Sequence, residues 1–150
     1  MQDDPAHWME LALEEALAAS ERGEVPVGAL IVREGQIIAR AHNLTRERSD
    51  PTAHAEVLAI RAAAAALGDW RLNDCDLYVT LEPCAMCAGA MVLARIRRLV
   101  FAAADPKAGM CGSLDNIVED ERLNHRVIVQ SGVGEAEAAR LLRGFFGKRR

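Results

Sequence analysis

The sequence has 150 residues, of which 51% are hydrophobic and 27% charged, and its formal net charge is −4 at pH 7. This length and composition predict one globular domain over residues 1–150 and exclude a fibrous or disordered chain. The negative charge excludes a protein that coats nucleic acid non-specifically, because such proteins carry an excess of cations. No apolar run is long enough to span a membrane and the first residues are acidic, so we expect a cytoplasmic protein without membrane contact.

Apolar periodicity and turn-forming residues divide the chain into alternating helices and strands. Asp4-Pro5 and Asp50-Pro51 are typical of helix starts, and Glu34-Gly35-Gln36 is turn-like, which predicts a hairpin. The helix over 84–94 has almost no charge, so we expect it to be buried. In chain order, the predicted elements are a helix over 5–22, strands over 27–32 and 37–41, a helix over 52–67, a strand over 77–81, a helix over 84–94, strands over 99–103 and 126–130, and a helix over 135–146.

This order of elements is typical of an α/β fold. It predicts a three-layer α-β-α sandwich around a five-stranded mixed sheet. The segment over 104–125 is long enough to cross the sheet, so the last two strands could run parallel, although the sequence alone leaves their direction open.

Two short motifs carry residues suited to metal chemistry, His54-Ala55-Glu56 on the second predicted helix and Pro83-Cys84-Ala85-Met86-Cys87 at the start of the third. In a reducing compartment, cysteines bind metal or act in catalysis more often than they form disulfides. Cys84 and Cys87 share a helix face, and two thiolates with one imidazole are ligands that Zn2+ prefers. Three protein ligands leave one position open, as in catalytic zinc sites.

Glu56 is the candidate proton carrier. Hydroxide made by a zinc-bound water still needs a carboxylate that moves the water proton to the ring and to the departing amine. Residues two apart on a regular helix point about 200° from each other, so spacing alone does not bring His54 and Glu56 into one pocket.

Other interpretations of these residues remain open at this point. The two cysteines could form a redox pair, or a fourth ligand could close a structural zinc site in a non-catalytic RNA-binding module. Cys75 is expected to be a small buried thiol and Cys111 to have no metal role. The candidates for a fourth ligand are Cys75, Cys111, His42 and His125.

The two motifs resemble the signature of zinc-dependent deaminases of nucleobases. Nearly the whole chain is similar to the bacterial tRNA adenosine deaminase family. The similar segments are Glu24–Ala29, Asp50–Glu56, Leu77–Cys84, Met86–Met91, Asn124–Val127 and the tail Phe145-Phe146 with Arg149-Arg150.

The resemblance implies a cytidine deaminase-like fold and a homodimer that converts the wobble adenosine of an arginine tRNA to inosine. It implies one zinc ion per subunit, held by His54, Cys84 and Cys87, and Glu56 as the proton shuttle. The helix over 84–94 supports a dimer, since its small residues permit close packing. No other protein partner is predicted.

The resemblance also implies contacts with the tRNA anticodon stem-loop. Asn43 matches a position that reads the base edge, and Asp105 and Lys107 match a loop that contacts neighbouring nucleotides, although Pro106 differs from the usual residue there. In the tail, Arg149 would contact phosphate, and Phe145 would stack on a base or pack in the core. An anticodon base is already unpaired, so extruding it costs less than extrusion from a duplex.

A deaminase of a free base or nucleoside, such as cytosine or guanine, is the closest alternative function. It would share the zinc chemistry and lack the RNA surface.

Overall fold

A computed structural model describes residues 4–147, and each predicted helix and strand is confirmed within them. No helix in this range combines the length and apolar character that a membrane span requires. The elements are α1 (Pro5–Glu21), β1 (Gly28–Arg33), β2 (Gln36–His42), α2 (Ala55–Leu67), β3 (Cys75–Leu81), α3 (Ala85–Ala94), β4 (Arg98–Ala103), β5 (Ile128–Ser131) and α4 (Glu135–Gly147).

The five strands form one mixed sheet in the order β2-β1-β3-β4-β5. β1 pairs antiparallel with β2 and β3, whereas β3, β4 and β5 run parallel. The predicted mixed sheet is therefore confirmed, and the last two strands take the parallel direction that the sequence left open. The hairpin is confirmed as well. Its turn residues Glu34 and Gly35 have φ of 51° and 74°, as a two-residue type I′ turn requires.

Helices cover both faces of the sheet, which confirms the three-layer sandwich. Successive strand residues face opposite sides, so Leu30 packs in a cluster with α1 and α4, while Ile31 packs in a cluster with α2 and α3. The larger cluster lies on the side of α2 and α3 and includes Ala55 and Ala88, which belong to or adjoin the two motifs suited to metal chemistry.

α2 begins three residues later than predicted. The Asp50 carboxylate accepts hydrogen bonds from the amide (2.8 Å) and hydroxyl (2.7 Å) of Thr52, which makes a turn instead of a helix start. The first helical amide, that of Ala55, donates instead to Oδ1 of Asn43 at 2.8 Å. The prediction that His54 lies on the helix is therefore wrong, because His54 is the residue that caps it, with extended backbone.

α3 shows a similar shift at its start. Cys84 was expected in the first helical turn, but it precedes the helix with φ −76° and ψ 179°. The helix is also not buried all round. Cys87, Ala88 and Met91 face the core, whereas the Leu93 side chain on the opposite face is 70% exposed. The expectation of a fully buried helix is wrong, because no described part of the chain covers this uncharged outer face.

The contact between β1 and α1 depends on Gly28. A Cβ atom at this position would lie 2.1 Å from the carbonyl oxygen of Ala12 and 2.6 Å from the amide nitrogen of Ala16. We expect Gly28→Ala to lower the free energy of unfolding by about 2 kcal/mol or more, because the helix must move off the sheet. Chemical denaturation measures this change.

Gly144→Ala in α4 is the matched control. No atom lies within 4 Å of a Cβ built there. Alanine stabilises a helix relative to glycine, so this variant should match or exceed the wild-type stability by about 1 kcal/mol at most. Equal losses in both variants would contradict the steric explanation.

Candidate active site

His54, Cys84 and Cys87 meet where the N-termini of α2 and α3 approach each other. Their donor atoms all lie within 4.8 Å of one another, and Nδ1 of His54 is 3.7 Å from the Cys84 sulfur and 3.5 Å from the Cys87 sulfur. Zinc bonds of about 2.3 Å to sulfur and 2.0–2.1 Å to nitrogen at a tetrahedral angle separate these donors by about 3.6 Å. The three donors are thus spaced as ligands of one tetrahedral ion.

The electrostatics of the site favour a thiolate at Cys84. Interactions with the Cys87 thiol and then with the His54 ring lower the pKa of Cys84 to about 3, although burial opposes the shift. Cys84 also lies at the N-terminus of α3, where the helix dipole stabilises a negative charge. A negatively charged sulfur is the form that binds a metal cation.

No fourth protein ligand joins this cluster within residues 4–147. The rings of His42 and His125 form hydrogen bonds with Glu15 and with a backbone carbonyl instead. Cys75 and Cys111 are buried, and burial raises the pKa of both thiols, that of Cys111 to about 12. The described residues therefore leave one position of a tetrahedral ion open.

Glu56 lies beside the same cluster. Its side chain is buried in the first turn of α2 and interacts with the Cys87 thiol, and burial raises the pKa of its carboxyl to about 7. The angle of about 200° between residues two apart holds only within a regular helix. His54 precedes the helix, with φ −79° and ψ 150°, so that angle does not separate it from Glu56. The change of backbone conformation between His54 and Ala55 brings imidazole and carboxyl together.

A cavity of about 240 Å³ opens above these groups. Apolar side chains form part of its wall. Amide and carboxylate residues and the candidate metal ligands also line it, and such a mixture is typical of small-ligand pockets. The lining includes Val25, Val27, Leu81, Asn43, Asp105, His54, Glu56 and Cys84.

Comparison with known proteins identifies the family. A family model described as MafB19-like deaminase matches residues 3–150. The tRNA-specific adenosine deaminase of Bacillus subtilis strain 168 is 53% identical over 139 residues, which cover 93% of this chain and 86% of that protein. The chain belongs to the tRNA-specific adenosine deaminase family.

Solved structures of deaminases share the fold of this chain. One structure, from a study of A-to-I editing by tRNA:A34 deaminases at the wobble position, is 53% identical with a TM-score of 0.88, covering 91% of this chain and 99% of that one. A guanine deaminase from Nitrosomonas europaea is 27% identical with a TM-score of 0.85, covering 96% and 85%. The predicted fold and the resemblance to the tRNA-editing family are confirmed.

The residues that the family resemblance assigned to RNA contacts occupy different places in this deaminase. Asn43 lies in the cavity, and its amide oxygen is used by Ala55, so its amide nitrogen is the group left to donate to a ligand. The Asp105 side chain lines the same cavity and accepts hydrogen bonds from the amides of Lys107 (3.0 Å) and Ala108 (3.2 Å). Lys107 itself is exposed outside the cavity lining.

Phe145 and Phe146 do not line the cavity. Phe145 lies in a separate groove between α1 and α4, where Leu17 and Leu141 also contribute. It is half-buried and meets Phe146 edge to face at 5.3 Å, so packing against the helices describes it better than an open stacking platform. Arg149 lies outside the described residues.

Two buried glutamates that the sequence analysis missed hold the walls of the cavity. The Glu24 carboxylate accepts hydrogen bonds from the amides of Arg46 (3.0 Å) and Glu47 (2.8 Å), in the loop that follows Asn43. Burial alone would raise the pKa of Glu24, but these hydrogen bonds lower it below its usual value. Its only signal in the sequence is an acid next to an apolar run, and that signal does not identify its partners.

Glu82 holds the opposite loop in the same way. Its side chain is 2% exposed and accepts hydrogen bonds from the amides of Asp105 (2.9 Å), Cys111 (3.1 Å) and Ser113 (2.9 Å), and from the Ser113 hydroxyl. A Cβ atom at Gly109 would lie 2.3 Å from this carboxyl group. The loop over 105–113 is thus folded tightly around one carboxylate.

We expect Glu82→Gln to loosen this loop, because the new amide group turns donors toward backbone amides and leaves them unsatisfied. Each unsatisfied buried group costs about 1–3 kcal/mol, so hydrogen exchange at Asp105, Cys111 and Ser113 should speed up about tenfold or more. Exchange measured by mass spectrometry tests this expectation. The control is Glu121→Gln on an exposed side chain, and a similar increase there would contradict the assignment of Glu82 as the anchor.

Proposed function

We propose that this protein hydrolyses adenosine to inosine at the wobble position of a tRNA anticodon loop, in an arginine tRNA, with release of ammonia. One observation carries the proposal: in a chain of the tRNA-specific adenosine deaminase family, a buried carboxyl lies beside a three-donor cluster at the base of a cavity. We further propose that residues 1–150 act as one domain in the cytoplasm.

The metal that we assign to the cluster is one zinc ion per subunit, held by Nδ1 of His54 and the sulfurs of Cys84 and Cys87. Such an ion, when bound, supplies a water whose pKa falls to about 7 and which can attack the base carbon. The N-terminus of α3 supports the charge of the Cys84 thiolate.

Glu56 is the proposed carrier of protons. Since its pKa is about 7, its carboxyl can take up and release a proton near neutral pH at little cost. It would remove one proton from the attacking water and give it to N1 of the adenine ring as the oxygen bonds to C6. It would then take the remaining proton from that oxygen and pass it to the exocyclic amine, which leaves as ammonia when the C6–N bond breaks. The net reaction consumes one water and replaces the amine by an oxygen.

The base would be held by side chains that line the cavity and take no part in proton transfer. The apolar side chains of Val25, Val27 and Leu81 enclose its faces, and the amide nitrogen of Asn43 donates to its edge. The loop of Asp105 and Lys107 contacts the neighbouring nucleotides, while the tail residue Arg149 extends the RNA surface beyond the cavity.

The three-dimensional similarity to a guanine deaminase supports one alternative, hydrolysis of a free base. An arginine tRNA anticodon stem-loop, free guanine and free cytosine are therefore incubated separately with the purified protein. Inosine in the stem-loop is the expected product, and turnover of a free base without inosine formation would overturn the proposal.

Two variants separate the roles of the shuttle and the ligands. Glu56→Ala should keep one equivalent of zinc and bind the stem-loop, while deamination falls about 10²–10⁴-fold, because general acid–base catalysis contributes that much. Cys87→Ser should lose zinc, as measured by metal analysis. Undiminished turnover by the first variant, or a full equivalent of zinc in the second, would remove that residue from its proposed role.

A homodimer is the proposed assembly. The outer face of α3 carries no charge and small residues, which allow a second chain to pack closely against it. Residues of this face are Ala85, Met86, Gly89, Ala90 and Leu93.

We expect Leu93→Glu to yield a monomer, because the carboxylate would be buried in the interface without a partner. Light scattering measures the mass. Ile37→Glu, at an exposed apolar position of β2, is the control and should remain dimeric. A wild-type protein that is monomeric at working concentrations would contradict the assembly.

A further inference from the structure

A second groove lies across the loop over 43–50 from the candidate active site. Asn43 and Thr45 face the catalytic cavity, whereas Leu44 and Arg48 line this other groove, whose volume is about 460 Å³. We call it the arginine groove, because three arginines line it. Its lining includes Arg40, Arg48, Arg61, His42, Leu44 and Leu58.

Two of the three guanidinium groups are available to an anion. Arg40 is bound to the Glu15 carboxylate at 2.7 Å. Arg48 and Arg61 are exposed, and neither forms an ion pair with a carboxylate in the part of the chain that the structure describes. The nearby Asp50 feels both charges, but its carboxylate is engaged in hydrogen bonds with Thr52.

The two arginines belong to the elements that build the active site. Arg48 lies on the loop that begins with Asn43, and Arg61 lies on α2, the helix that begins next to His54 and carries Glu56. An anion held between them would therefore have a fixed position relative to the catalytic cavity. Guanidinium groups match phosphate oxygens in two-point hydrogen bonding, so phosphate is the anion that this pair suits.

A nucleotide chain supplies phosphate groups at this position. When one base is extruded into the cavity, the sugar-phosphate chain on either side must run over the rim. The chain as a whole has a net charge of −4, so an RNA strand needs local cations beside the cavity. We infer that the arginine groove binds phosphate groups of the RNA strand next to the extruded nucleotide, through Arg48 and Arg61.

This inference rests on the proposed function and adds to it a surface that sets the position of the strand. Phosphate contacts carry no sequence information, so the groove would contribute affinity and register without a preference for flanking bases. Its contribution must weaken with added salt, since each neutralised phosphate releases counterions.

The test is the double variant Arg48→Ala/Arg61→Ala, assayed for binding of the anticodon stem-loop over a range of salt concentrations. We expect the Kd to rise about tenfold or more and the salt slope of log K to become shallower by about 1.4, because about 0.7 is lost for each of two single-strand phosphates. Arg48→Lys/Arg61→Lys keeps both charges and should retain most of the slope.

Arg71→Ala/Arg122→Ala is the matched control, since both of its arginines are exposed and lie outside the groove. It should bind the stem-loop like the wild type. Thermal unfolding and zinc content check the fold of every variant. If the double variant fails to fold, the single variant Arg48→Ala replaces it, and this variant should show about half the change in slope.

The outcomes separate the inference from the function beneath it. Wild-type protein that forms no inosine in the stem-loop would overturn both. Wild-type conversion together with unchanged Kd and slope in the alanine variant, or equal losses in the control, would overturn the inference alone.

Discussion

The approach of two helix N-termini is the constraint on which the rest of the molecule depends. α2 and α3 begin side by side, and residues at their first positions supply an imidazole, two sulfurs and a buried carboxyl. A helix N-terminus carries partial positive charge, which lowers the cost of a thiolate. Bare dipoles of this sign would repel a cation, so the anionic sulfurs are what make the same place suitable for a metal ion.

Around this centre, the walls of the cavity are loops, and each is held by one buried carboxylate. Glu24 binds the loop after β2 and Glu82 the loop after β4, in both cases through backbone amides instead of a cationic side chain. Hydrogen bonds to a charged acceptor are strong, and backbone donors cannot move away without unfolding the loop. This design allows irregular loops to present Asn43 and Asp105 at fixed positions.

Sequence patterns predicted the elements well, because periodicity reports which side of a helix or strand is apolar. These patterns predicted the start of a helix or the partners of a side chain less well, because residues far away in the sequence determine them. α2 starts at Ala55 because Asn43, twelve positions earlier, takes its amide, and this start explains how His54 and Glu56 converge. The partners of Glu24 and Glu82 lie 21–31 positions away, which no local pattern reveals. The uncharged sequence of α3 predicts burial, but it does not show whether the same chain or a second chain covers the helix.

The charge distribution follows from the same architecture. A protein with a net charge of −4 can act on RNA if its cations are concentrated where the strand passes, because screening confines each charge to about 10 Å. The loop over 43–50 places Asn43 and Thr45 at the active-site cavity and Arg48 at the arginine groove, so in our proposal one short segment couples base and phosphate recognition. Since an anticodon base is extruded at low cost, a few well-placed cations suffice, and an acidic surface elsewhere limits binding to other nucleic acids.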